Sequence, residues 1–149
     1  MPRRVRRNGL WLVLPVLLGN AVFAGALPGV YSVDDGVPTW LLVLEWATRL
    51  AVFCAPLLMA VSLDGPVERF GAGLYAIGLI AYAGAWALVI AGGDAFVAGH
   101  PVVAVAPYWL PALFFGGLGL MARAYWYLPL VLSFSLAHTV HGLIVLGLI

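Results

Sequence analysis

Five apolar stretches, each close to a bilayer's thickness when helical, dominate the sequence: about Leu10 to Leu27, Thr39 to Ser62, Phe70 to Ala91, Pro107 to Ala122 and Trp126 to Ile149. A helix needs about 20 mostly apolar residues to cross the hydrocarbon core. These runs predict an all-α integral membrane protein, a bundle of five transmembrane helices forming a single domain over residues 1–149.

Composition agrees. Only 9% of the residues are charged and 64% are hydrophobic, against about 25% charged in an average soluble domain. A soluble fold of 149 residues could not hide so much apolar surface, so the lipid bilayer is the expected partner. No basic patch interrupts the interior, and nucleic-acid binding is excluded.

Orientation follows from arginine, the only basic residue besides histidine. Arg3, Arg4, Arg6 and Arg7 precede the first span, Arg69 lies between spans two and three, and Arg123 between four and five. The connections Pro28–Pro38 and Gly92–Ala106 carry neither Arg nor Lys. The positive-inside rule then makes the N-terminus cytoplasmic and, after five crossings, leaves the C-terminus outside. The expected location is the inner (plasma) membrane, multi-pass. LWLVLPVLL followed by Ala24-Gly25-Ala26 also fits a cleavable signal peptide; the segment is read here as a retained first helix.

Proline, glycine and cysteine mark local features. Pro56 within span two deprives the Val52 carbonyl of its helical donor and predicts a kink. Pro107, Pro111, Gly116, Gly117 and Gly119 predict an irregular or closely packed fourth span. Gly73, Ala76, Ala83, Ala87 and Ala91 form a small-residue stripe on span three, of the kind that lets membrane helices approach; packing within the monomer is expected, with a homo-oligomer face as the alternative. Cys54, the single cysteine, excludes an intrachain disulfide and reads as a small buried hydrophobe. There is no internal repeat, and an odd span count argues against an inverted-repeat transporter built from one chain.

The polar residues inside the spans carry the functional signal. In LEWATRL, Glu45 precedes Arg49 by four residues. At about 1.5 Å per residue, Glu45 sits about 9 Å and Arg49 about 15 Å below the outer end of span two, the latter near the midplane. An isolated arginine there costs at least about 2.5–3.5 kcal/mol. The order Glu before Arg at i, i+4 lets the pair neutralise itself. Span five carries His138 and His141, which share a face with Phe134. Span one contributes Asn20, and span three Tyr82 and Trp86. All seven, Asn20, Glu45, Arg49, Tyr82, Trp86, His138 and His141, fall between the midplane and the outer surface. A bundle turns such residues inward, because lipid cannot satisfy them. One polar, aromatic-lined pocket is predicted.

Several chemistries fit. Arg49 suits an anion or carboxylate, the aromatic rings an apolar body, and the histidines with Glu45 a protonation switch. Binding or transport of a small polar or anionic molecule, or of a lipid ligand, is therefore the leading expectation. A membrane-embedded enzyme using His/Glu acid–base chemistry is the alternative, though no nucleophile motif accompanies those residues and no catalytic residue is assigned. An accessory or assembly subunit, with the polar groups serving only helix docking, is the third class. His138 and His141 with Glu45 could offer metal ligands, but Arg49 opposes a cation and no metal is expected. Both membrane histidines lie on one span, which disfavours haem, and the cofactor is unassigned.

Overall fold

The computed structural model describes residues 7–32, 34 and 36–149. Arg3, Arg4 and Arg6 of the charge argument lie outside them. Among the described residues the fold is all-helical apart from one two-residue strand pair. Helix α1 spans Leu10–Ala24, α2 Thr39–Cys54, α3 Pro66–Gly99, α4 Pro101–Trp109, α5 Pro111–Met121 and α6 Tyr127–Val145. Among the described residues four helical segments are long and apolar enough to cross a membrane: Thr39–Leu58, Pro66–Gly99, Pro101–Met121 and Tyr127–Val145. Helix α1, at 15 residues, is apolar but shorter. Large side chains such as Trp11, Val22, Trp40, Ile80 and Leu136 point outward, the arrangement that lipid rather than water tolerates.

The arginine-bearing connections meet at one end of the bundle. Strand β1 (Arg7–Asn8) pairs antiparallel with β2 (Ala60–Val61), and the Gly9 amide donates to Met59 O at 2.9 Å. The Ser62 amide donates to Met121 O, and Arg123 Nε lies 2.6 Å from the buried Glu68 carboxylate. At the opposite end Val30, Tyr31 and Leu146 close over Val89, Val97 and Ala104. The grouping of arginines read from the sequence is thus a property of the fold among the described residues.

Helix boundaries differ from the sequence reading in two places. Span two leaves the α-helix after Cys54, tightens into a 3₁₀ turn over Ala55–Leu58 and is extended at Met59. Pro56 therefore ends the helix instead of kinking it mid-span. The carbonyl that Pro56 cannot serve is still satisfied: the buried Tyr127 hydroxyl, from α6, donates to Val52 O at 2.8 Å. Tyr127→Phe leaves that carbonyl buried and unpaired, which costs about 1–3 kcal/mol. A thermal melt in detergent should register the loss, and an unchanged melting temperature would mean that Val52 O finds another donor.

The second difference is the connection Gly92–Ala106, expected as a loop. Helix α3 instead continues to Gly93, turns sharply there at φ 63°, ψ −164°, and resumes to Gly99; α4 begins at Pro101. That backbone region is open essentially to glycine alone. The fourth span thus starts at Pro101, passes Pro107 within α4 and breaks at Leu110 before Pro111.

Close packing of the fourth span is real, with other partners than the stripe. Gly71 and Gly117 face each other across α3 and α5: a Cβ on Gly71 would stand 2.6 Å from Gly117 O, and one on Gly78 2.8 Å from the Phe114 amide nitrogen. The backbones touch where no side chain intervenes. Gly73, Ala76, Ala83, Ala87 and Ala91 lie on the outer face of α3, exposed, so packing within the monomer does not use them. Cys54 is also exposed, not buried.

Candidate functional site

Helices α2 and α6 pack side by side, and this pairing builds the centre of the site. Glu45 is 2% exposed, which a carboxylate tolerates only with strong partners. It has three. Arg49, one turn along α2, donates from Nη2 to Oε1; His138 Nδ1 lies 3.0 Å from Oε1; His141 Nδ1 contacts Oε2. The i, i+3 spacing of the histidines puts both rings on the α6 face that meets Glu45.

His141 reaches outward as well. Its Nε2 is 3.1 Å from Asp34 Oδ1, in the connection between α1 and α2, where Asp34 is 63% exposed. Both ring nitrogens of His141 thus face carboxylates, and both contacts are hydrogen bonds only when both nitrogens carry a proton. Asp34, His141, Glu45 and His138 form a continuous polar chain from the surface to the interior.

A cavity of about 350 Å³ adjoins this chain, and Asn20, Glu45, Arg49, Tyr82, Trp86, His138 and His141 all line it. The Tyr82 hydroxyl donates to Asn20 Oδ1 at 2.5 Å, tying α3 to α1 across the cavity. The Arg49 guanidinium carbon lies 5.0 Å from the Trp46 ring and 6.0 Å from Phe134, distances at which the ring quadrupoles favour a cation. The Phe134 and His138 rings stack 5.2 Å apart.

Of the further lining residues that were not singled out from the sequence, four stand nearest the polar chain. Tyr108 presses its ring onto Gly142, where a Cβ would collide with it, and stands 4.8 Å from His138. Tyr31 sits between Trp86 and Tyr108, with ring centroids 5.2 and 6.1 Å away, and donates its hydroxyl to Ala104 O at 2.9 Å. Burial pushes the Tyr31 phenol up to about 12, so it keeps the donated proton at any ordinary pH. Asp34 and Trp46 complete the set. Trp46 had a local signal, its i, i+3 spacing to Arg49; Tyr31, Asp34 and Tyr108 become neighbours of the site only through tertiary packing.

Hydrogen-bond donors on the cavity wall outnumber their protein partners. Among the described residues only Nη2 of Arg49 has a hydrogen-bond acceptor, leaving Nε and Nη1. Asn20 uses its oxygen towards Tyr82, leaving the amide NH₂. The buried Trp86 Nε1 has no partner of good geometry, although it lies beside the Tyr82 hydroxyl. Glu45, His138 and His141 bring one ligand atom each to within 4.8 Å of one another, a donor set a divalent ion accepts. The Arg49 guanidinium on the same carboxylate places positive charge against any such ion.

Compared with known proteins, the chain matches no family model, no curated protein and no solved structure.

Proposed function

We propose that this is a multi-pass membrane protein that binds, and in transport would carry, a small anionic or acceptor-rich molecule in the cavity between α1, α2, α3 and α6. The observation that carries this reading is the donor-rich wall: among the described residues Arg49 and Asn20 offer N–H groups that no protein acceptor takes, amid aromatic rings suited to an apolar body. A ligand with carboxylate or carbonyl oxygens satisfies them; a cation or a hydrogen-bond donor does not.

The test is a thermal-shift series in detergent with benzoate against benzamide. Benzoate should raise the melting temperature of the wild type more than its neutral counterpart does. Arg49→Leu should weaken benzoate binding about tenfold or more, the loss expected for a hydrogen bond to a charged group. Equal shifts by the two compounds, or a benzoate effect that survives Arg49→Leu, would remove the anion reading.

The proposed topology has five crossings, with α1 as the first, the arginine end cytoplasmic and the inner (plasma) membrane as its location. Its support is the arginine asymmetry together with the meeting of those segments at one end. A cysteine placed at Ala98 should react with an impermeant thiol reagent added outside, and one at Gly65 should not, in a Cys54→Ala background. Asp35, the other outward position, lies outside the described residues. Labelling at Gly65 from outside would reverse the orientation.

A further inference from the structure

The end of the cavity and its α1–α2 flank are built differently. At the end opposite the arginines, the 3₁₀ turn Gly29–Ser32 is tied down across it. Tyr31 makes the tie, through its hydrogen bond to Ala104 O and its ring contacts with Trp86 and Tyr108. A solute arriving from that side has to break these contacts or squeeze past Asp34. The flank between α1 and α2 is different. Helix α1 is sparsely packed throughout, most of all along α2, and touches α3 and the turn Ala55–Leu58 a little more. The cavity wall on that flank is made from both helices, with Phe23, Ala24 and Leu27 on one side and Trp46, Arg49 and Phe53 on the other. Trp46 is itself largely exposed on the outer, lipid-compatible surface. Arg49 stands at this flank, 33% exposed, with two of its three nitrogens unpaired among the described residues.

We infer that the ligand is a membrane-dissolved acidic amphiphile of the long-chain carboxylic acid type, admitted sideways between α1 and α2. Its carboxylate lies at Arg49 and its chain trails out past Phe23, Ala24 and Trp46. This rests on the proposed anion site and adds the ligand class and route. Volume agrees: about 350 Å³ is at the lower end for a pocket that encloses a drug-sized ligand, enough for a head and its first carbons. Charge agrees as well. Glu45 takes only one edge of the Arg49 guanidinium; a ligand carboxylate takes the remaining N–H groups, and the negative charge it adds beside Glu45 is offset when His141 carries a proton on both ring nitrogens.

The experiment uses the full chain in lipid nanodiscs, with stearic acid brominated at carbons 2 and 3 (dibromostearic acid) as probe, because bromine quenches tryptophan on contact and those carbons stay in the cavity beside the carboxylate. Trp86, whose indole nitrogen is buried beside the cavity, is the reporter. The expected result is a saturable quenching component that plain stearate competes away and that disappears in Trp86→Phe. Dibromostearate methyl ester should not produce it, and Arg49→Leu should weaken it about tenfold or more. Ala24→Leu narrows the flank at an exposed position and should suppress the component; full quenching in this variant would place the route elsewhere. Quenching that never saturates, or that the ester reproduces, is random lipid contact and overturns the inference. Benzoate binding without any fatty-acid component overturns it too, while leaving the anion site standing. If neither acid binds, both readings fall together.

Discussion

Glu45→Ala should be among the most destabilising single changes in the chain, and it should be worse than the double change Glu45→Ala with Arg49→Leu. The carboxylate is buried and takes contacts from Arg49, His138 and His141 together. Removing it alone strands a guanidinium and two imidazoles in a low-dielectric interior. Breaking a buried ion pair from one side costs about 3–5 kcal/mol. Replacing both charged members removes the stranded cation, and a leucine fills part of the space. Arg49 has some access to the cavity, which places the single variant towards the lower end of that range. The measurement is yield and melting temperature by fluorescence-detected size-exclusion chromatography. Identical behaviour of single and double variants would show that Arg49 has a counter-charge other than Glu45.

The same pair explains why part of this site is legible in the sequence. A glutamate and an arginine at i, i+4 inside an apolar run can only be tolerated together, and the histidines of α6 at matched depth have nowhere in lipid to go. Depth along a helix is a linear function of residue number, so residues from four helices can be matched before any packing is known. Azimuth is less accessible. The small-residue stripe of α3 was read as an inward face, yet Gly71 and Gly78, half a turn away, make the contact with α5. Small residues permit close approach from either side, and only the partner's own glycines decide which is used. The connection Gly92–Ala106 was obscure for a different reason. Its glycine pair reads as a loop signal, whereas Gly93 supplies a single sharp turn and helix resumes on both sides. Pro56 reads as a mid-span kink and instead ends the helix; the donor that serves the Val52 carbonyl, Tyr127, lies 75 residues from it in the chain, and no local pattern encodes that.

His141→Gln separates the three classes of function, because His141 joins the surface carboxylate of Asp34 to the buried one of Glu45. In the wild type its two contacts require a proton on each ring nitrogen, and the imidazole's ordinary titration falls near pH 6.5. Binding of an anion at Arg49 should therefore vary with pH, since each proton on the histidines adds positive charge beside the ligand and each proton lost removes it. Affinity should rise as pH falls through the histidine titration and decline as pH rises. Glutamine cannot titrate. A binding protein carrying His141→Gln should still take up benzoate, with a flat pH profile in place of the slope. An enzyme that uses the histidine as acid or base should keep binding and lose turnover by about 10²–10⁴, once a substrate of the inferred acidic class is converted in a product assay. An accessory subunit should show neither change, only a lower melting temperature. The decisive measurement is the benzoate thermal shift across pH for both proteins. A slope that survives the substitution would move the proton switch from His141 to His138, the other imidazole on Glu45, and His138→Gln in the same assay would then have to abolish it.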